Sequence, residues 1–147
     1  MNIPLPSITD STAFKLHRVT ALLDRVADVY LRTTHGIRYP AFLVLLMVRV
    51  LDEPSQQHIA ANLGVSRASV TQRVGALVEE GLLTTRTDPA DARANRVALT
   101  DRGAVLLDAA WSGLDSHQAG LDDGVDEAAL AAQLDRILAN GARLEGR

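Results

Sequence analysis

The sequence contains no cysteine. That absence excludes a disulfide framework, a thiolate zinc site and a cysteine-based redox sensor together. Aromatic residues make up only 3% of the chain, so the core must be assembled from Leu, Val, Ile and Ala. Lysine is nearly missing: Lys15 stands against fourteen arginines, the usual mark of a GC-rich coding sequence, to which arginine's preference for phosphate sites could add. No long apolar run occurs. The longest, Ala41 to Val48, spans eight residues, whereas a membrane-crossing helix needs about 20. Met1 to Asp10 holds two prolines and no basic residue, which is not the pattern of a signal peptide. The expectation is a soluble cytoplasmic protein.

Catalytic and metal motifs are equally scarce. His17, His35, His58 and His117 include no pair at the i, i+4 spacing of a helical metal site, and there is no HExxH, GxGxxG or phosphate-binding loop. Gly64-Val65-Ser66-Arg67-Ala68 begins like a nucleophile elbow but lacks the second glycine, and a turn explains it better. No enzymatic activity, metal or cofactor is expected.

What is present suits one globular domain, or one with an appendage: 147 residues, 47% apolar and 22% charged. Net charge is −3, unevenly spread: residues 1–57 and 58–102 each carry +1, and residues 103–147 carry −5. Any nucleic-acid site must therefore be a local basic surface.

Helical spacing runs from a Ser11 cap to about Thr34, with Val19, Leu22, Leu23, Val26 and Tyr30 on one stripe. Gly36 and Pro40 break it. Ala41 to Leu51 is apolar almost all round, as expected of a helix buried mid-molecule. Pro54-Ser55 opens a short helix, Gln56 to Leu63, and Gly64-Val65-Ser66 turns into a longer one, Arg67 to Glu80, closed by Gly81. Leu82 to Thr87 and Asn95 to Leu99 read as strands joined by a loop longer than a tight turn needs. Thr100-Asp101 caps a helix to about Gln118. After a break at Gly120 to Val125, Asp126 caps a last helix striped by Leu130, Leu134, Ile137 and Leu138.

The middle of the chain is the informative part. Ala60, Gly64 and Val70 supply the small residue, turn glycine and inner apolar residue that a helix-turn-helix requires, with Ile59, Leu63 and Val65 completing the contacts. On the second helix, Val70, Val74, Leu77 and Val78 form the inner stripe. The outer side carries Ala68, Ser69, Gln72, Ala76 and Glu79, edged by Arg67, Thr71 and Arg73. With Ser66 as N-cap, the positive end of the helix faces the same way. Gln and Arg can pair bidentately with base edges in a major groove, and Ser and Thr suit phosphate. The following hairpin is placed as a wing, with Asp91 and Arg93 at its tip. An arginine there can enter a narrow minor groove, and the aspartate beside it can fix its rotamer.

These residues resemble the MarR (multiple antibiotic resistance regulator) family from about Gly36 to Leu106. The resemblance rests on Ile59 to Ser66, Ser69-Val70-Thr71 and Leu77 to Leu83, and more specifically on Asp88-Pro89-Ala90-Asp91-Ala92-Arg93 and Val97 to Gly103. It implies a mainly α fold with a small β-hairpin: a winged helix-turn-helix flanked by N- and C-terminal dimerisation helices. The implied regions are a dimerisation helix at 1–35, the DNA-binding region at 36–100 and further dimerisation helices at 101–147. The implied function is a homodimeric regulator, a repressor by expectation, on a pseudo-palindromic operator in double-stranded DNA. Ser66, Arg67, Ser69, Thr71, Gln72 and Arg73 would face the major groove or its phosphates, and Arg93 would be the wing arginine held by Asp91. Two departures stand out: Ala92 occupies the place of a frequent second wing arginine, and Arg73 a position that is often apolar. Relatives of this kind often bind a small aromatic or anionic effector. His35, Arg38, Tyr39 and Trp111 are the residues here able to offer such a pocket a cation or a ring. The competing expectation is a winged-helix module that binds protein without specific DNA binding, favoured by the low net charge.

Overall fold

The computed structural model describes residues 4–116 and 120–146, with the side chains of residues 5, 6 and 92–94 outside the described set. Among the described residues, seven helices and two strands follow in the order α1 (Leu5–Thr9), α2 (Thr12–His35), α3 (Tyr39–Leu51), α4 (Gln56–Leu63), α5 (Arg67–Glu79), β1 (Leu83–Asp88), β2 (Asp91–Leu99), α6 (Asp101–Ser116) and α7 (Glu127–Glu145). The short α1 falls where the sequence suggested no element. The described part of α6 ends at Ser116, and Gln118 lies outside the described residues, as does His117. The chain divides into two compact units, Met1–Ser116 and His117–Arg147.

Capping sets the boundaries in the first unit. The Ser11 hydroxyl accepts from the Phe14 N–H (3.2 Å), Ser55 from His58 and Ser66 from Ser69 (3.1 Å each). Each satisfies an N–H that the helix leaves unpaired. Gly36 and Gly64 end α2 and α4 in the left-handed conformation, at φ 66° and 64°, where a side chain would be strained. Pro40 does not only break α2; it sits in the first turn of α3, where its missing N–H is harmless.

Helix α3 is the centre of the unit, with Phe42, Val44, Leu45 and Val48 buried against Leu31, Ile59, Val70, Val74 and Leu77. Each such side chain contributes on the order of 1.5–3 kcal/mol of burial. The expected α2 stripe divides. Val26 and Tyr30 are partly covered, while Val19, Leu22 and Leu23 stay exposed. On α5, Val78 leaves the expected inner stripe and is 38% exposed, because Val70, Val74 and Leu77 already fill the face toward α3.

The strands pair antiparallel from Leu83↔Leu99 to Thr87↔Asn95. The expected long loop is instead a two-residue turn, Pro89-Ala90, because the register shifts between Thr87 and Asp88, and Asp88 pairs with Asp91. The surplus residues are absorbed within β2 as an irregularity of the ladder. At the far end, the Thr100 hydroxyl donates to the Gly81 carbonyl (2.6 Å) and accepts from the Gly103 N–H (3.0 Å), turning the chain into α6. A Cβ on Gly103 would collide with the Leu82 carbonyl oxygen, which is backbone and cannot step aside.

In the second unit, the Asp126 carboxylate accepts from Ala129 (3.0 Å) and starts α7. Leu130, Leu134, Ile137 and Leu138 are all exposed on it.

Gly103→Ala is expected to lower stability by about 1–3 kcal/mol, the usual penalty of overpacking, as a reduced midpoint in urea denaturation.

Candidate nucleic-acid interface

The helix-turn-helix forms as its residues dictate: α4, a turn through Gly64, then α5 capped by Ser66. Leu63 and Val65 are half-buried beneath the turn, and the Val65 N–H reaches the Ala60 carbonyl at 3.1 Å. With Val70, Val74 and Leu77 fixed inward, the rest of α5 turns outward. Arg67, Ala68, Thr71, Gln72, Gly75, Ala76 and Glu79 are exposed, and Ser69 and Arg73 sit at a half-buried edge.

The wing is tied to the bend between α3 and α4. Asp52 and Glu53 both adopt positive φ (53° and 55°), unfavourable for residues with side chains. Four contacts hold them there. The Val97 N–H donates to the Pro54 carbonyl (2.9 Å), Ser55 bridges Arg96, Arg96 Nη1 donates to the Glu53 carbonyl (3.3 Å), and Arg86 pairs with the Glu53 carboxylate. Arg96 also closes on Asp88 Oδ2 through Nε and Nη2, each at 2.9 Å. The other oxygen of Asp88 accepts the Ala90 N–H at 2.9 Å and shapes the turn. The Ala90 N–H, and then Arg96, hold the Asp88 carboxyl below the usual carboxylate range.

Between α5, the start of α4 and the wing lies an open concavity of about 350 Å³, lined by Ser55, Gln56, Gln57, Arg67, Thr71, Asp91 and Asn95. Of the residues expected from sequence, it gathers Arg67, Thr71 and Asp91. Gln72 lies on the exposed side of α5, and Ser66, Ser69 and Arg73 do not line the concavity. Ser66 spends a lone pair on its own helix. Arg93 lies on β2, but its side chain, and with it the expected Asp91–Arg93 pair, is outside the described residues. Asp91 opens β2 beside the Pro89-Ala90 turn.

Sequence reasoning missed Ser55, Gln56, Gln57 and Asn95 as lining residues, and the Asp88–Arg96 anchor. Gln56 meets Thr71 across 15 positions, with Thr71 Oγ1 donating to Gln56 Oε1 at 2.7 Å. No local spacing announces such a pair.

Several arginines are paired with carboxylates. Arg32 and Arg38 are paired with Asp28, Arg49 with Asp108, Arg86 with Glu53 and Arg96 with Asp88. Among the described residues, no carboxylate pairs with Arg67 or Arg73. None of the described concavities is lined by the residues considered for an effector. His35 meets the Tyr30 hydroxyl (3.3 Å), Tyr39 stacks on Phe42, and Trp111 is exposed. Burial, and Asp24 beside it, push the Tyr39 hydroxyl up to about 12. No group of three or more His, Asp or Glu able to hold a metal occurs among the described residues, and no single helix is long and apolar enough to cross a membrane.

The sequence profile of the MarR family matches residues 35–94, which contain α3, the helix-turn-helix and the turn of the wing. Solved structures agree over most of the chain. A MarR-family transcriptional regulator from Rhodococcus sp. RHA1 superposes with a TM-score of 0.79 at 25% identity, over 88% of this chain and 91% of its own. The chain is thus similar to MarR-family regulators, in sequence over residues 35–94 and in fold over most of its length. A second similar structure is CouR from Rhodococcus jostii RHA1 bound to p-coumaroyl-CoA (TM-score 0.77, 26% identity, 88% and 91% coverage). A third is a MarR variant from E. coli complexed with operator DNA (TM-score 0.75, 24% identity, 92% and 99% coverage), whose likeness speaks to the fold. No curated protein matches the sequence. The fold is the winged helix of MarR-type transcriptional regulators.

The Asp88 anchor makes the wing sensitive to acid. A carboxyl held low in the folded state adds stability above its unfolded value of about 4, and loses it as pH falls through the lower folded value. The stability difference between the native protein and Asp88→Asn is therefore expected to be constant above about pH 5 and to shrink toward pH 3. Urea denaturation across that range checks it. A gap that widens in acid would reverse the assignment.

Proposed function

We propose that the chain is a cytoplasmic homodimeric repressor that binds a pseudo-palindromic operator and is released by a small aromatic or anionic effector. The observation that carries the DNA reading is the outward face of α5. It is polar, ends in the positive pole of a helix, and carries two arginines that no carboxylate of the described residues neutralises. Helix α5 enters the major groove, where Gln72 reads a base edge while Ser66, Arg67, Ser69 and Arg73 hold the flanking phosphates. The wing, with Asp91 and Arg93, enters the neighbouring minor groove.

Dimerisation is supported by apolar faces that each unit leaves open: Val19, Leu22, Leu23 and Val29 on α2, and Leu130, Leu134, Ile137 and Leu138 on α7. A second copy covering them gives helices 1–35 and 101–147 their role and sets two recognition helices about 34 Å apart, one turn of duplex. Light scattering at micromolar concentration is expected to report a dimer. The effector reading draws on relatives such as CouR and its p-coumaroyl-CoA.

The deciding experiment is an unbiased selection of duplexes by the purified protein at two salt concentrations. A two-fold symmetric site is expected, with affinity falling by a slope of roughly −0.9 per phosphate neutralised. Arg67→Ala reduces that slope by about one, Arg93→Ala lowers affinity with the fold intact, and replacing Gln72 alters sequence preference more than affinity. Salt-insensitive association with a protein and no selected duplex would instead favour the protein-binding module.

Gly75 offers a second test. It lies in the exposed middle of α5, its backbone is helical, and a Cβ there would meet nothing within 4 Å. Nothing in the described fold needs a glycine, which costs roughly 0.5–1 kcal/mol against alanine in a helix. Gly75→Ala is expected to raise the melting temperature while weakening DNA binding, because the added methyl group holds the helix away from the groove. A gain in stability with unchanged affinity would remove this face from the interface.

A further inference from the structure

We propose that Gln56, the first residue of α4, binds a phosphate of the duplex through its side-chain amide N–H2, and that Thr71 is the positioning residue that aims it. The proposal rests on the DNA reading above and adds a contact outside the recognition helix. Thr71 donates its hydroxyl proton to Gln56 Oε1 at 2.7 Å. A carbonyl oxygen has no proton to give, so the direction of this bond is fixed. Two consequences follow at once. Thr71 has only lone pairs left to offer, and a phosphate oxygen, itself an acceptor, cannot use them. Gln56 has its acceptor end held on α5, which leaves both amide protons at its other end, where no hydrogen bond to another described residue engages them.

The location decides what those protons meet. Gln56 and Thr71 line the concavity between α5 and the wing, together with Arg67, Gln57, Asn95 and the Asp91 carboxylate. Adjacent major and minor grooves of a duplex are separated by one sugar–phosphate ridge. A protein with α5 in one groove and its wing in the next must straddle that ridge, and this concavity is the space left for it. Arg67 draws the ridge to the α5 side of the concavity, beside Gln56. There the guanidinium supplies charge and the amide supplies direction. Hydrogen bonds from neutral side chains to phosphate fix register on the duplex and carry no sequence information.

The test measures fluorescence anisotropy with the duplex that the native protein selects and with a scrambled duplex, for native protein, Gln56→Ala, Thr71→Val and the double variant. Both side chains lie at the surface mouth of the concavity, and thermal melts are expected to stay within a few degrees of native. Gln56→Ala is expected to weaken binding to both duplexes by about tenfold, the loss of one hydrogen bond to a charged acceptor. The salt slope stays unchanged, because glutamine carries no charge. Thr71→Val is expected to lose several-fold, and the double variant to be no weaker than Gln56→Ala alone. Gln56→Glu keeps an acceptor for Thr71 but loses the donors, and is expected to bind more weakly than Gln56→Ala. Full affinity in Gln56→Ala overturns the phosphate contact. Losses that multiply in the double variant, or a changed base preference in Thr71→Val, overturn the positioning role. If the native protein shows no salt-dependent binding to any duplex, the DNA reading itself fails, a result distinct from the other three.

Discussion

The arrangement depends on one seam, the backbone bond from Val97 to the Pro54 carbonyl with the Arg96 guanidinium laid across it. A two-stranded hairpin has little stability of its own in water. Here β2 borrows the segment before α4 as a partial third strand through the Ser55–Arg96 bridge. The same contact keeps Asp52 and Glu53 in a conformation that costs of order 1–3 kcal/mol per residue and persists only where surroundings dictate it. Because Ser55 also caps α4, the bond that docks the wing fixes the start of the helix-turn-helix. Wing and α5 are thus set against one another from a common point, and the concavity between them has a defined width.

The opposite side of the first unit is fixed by close approach. Gly113 of α6 leaves room for the Tyr30 ring of α2, and Gly103 lets the start of α6 lie on the Leu82 carbonyl. Tyr30 also reaches His35 (3.3 Å), the last residue of α2. Asp28 then ties α2 to the entry of α3, accepting the Tyr39 N–H at 2.9 Å and pairing with Arg38 and Arg32. The C-terminal half of α2 is consumed by these contacts. Its N-terminal half keeps an apolar face that the unit does not need for its own core.

Elements set by local rules were legible in the sequence. Serine caps at 11, 55 and 66 and left-handed glycines at 36 and 64 declare helix ends by themselves, and the Val70, Val74, Leu77 spacing declares an inner face. Val78 was misassigned because periodicity reports which residues can face inward, not when the facing helix has run out of surface. The wing turn was misread because Pro89-Ala90 is tight only given a register slip, which is a property of strand pairing. Arg96 looked like one more strand residue. Its meaning comes from Asp88 eight positions away and Glu53 forty-three positions away. The candidate face on α5 is legible because one helix supplies it; Gln56, Gln57 and Asn95 are not, because only tertiary packing brings them beside it.

Long-range pairing also governs where a chain of net charge −3 leaves positive charge unopposed. Arginines that fasten elements together are opposed by carboxylates: Asp28 for Arg38, Glu53 for Arg86, Asp88 for Arg96. Their charge is cancelled within a few ångströms and contributes little field beyond a Debye length of about 8–10 Å. Arg67 and Arg73 have no such opposition among the described residues, and Arg67, in the first turn of α5, adds its charge to the positive end of the helix dipole. The excess of acid is gathered in the last third of the sequence. What determines the electrostatic character of the α5 surface is therefore which arginines the fold leaves unopposed.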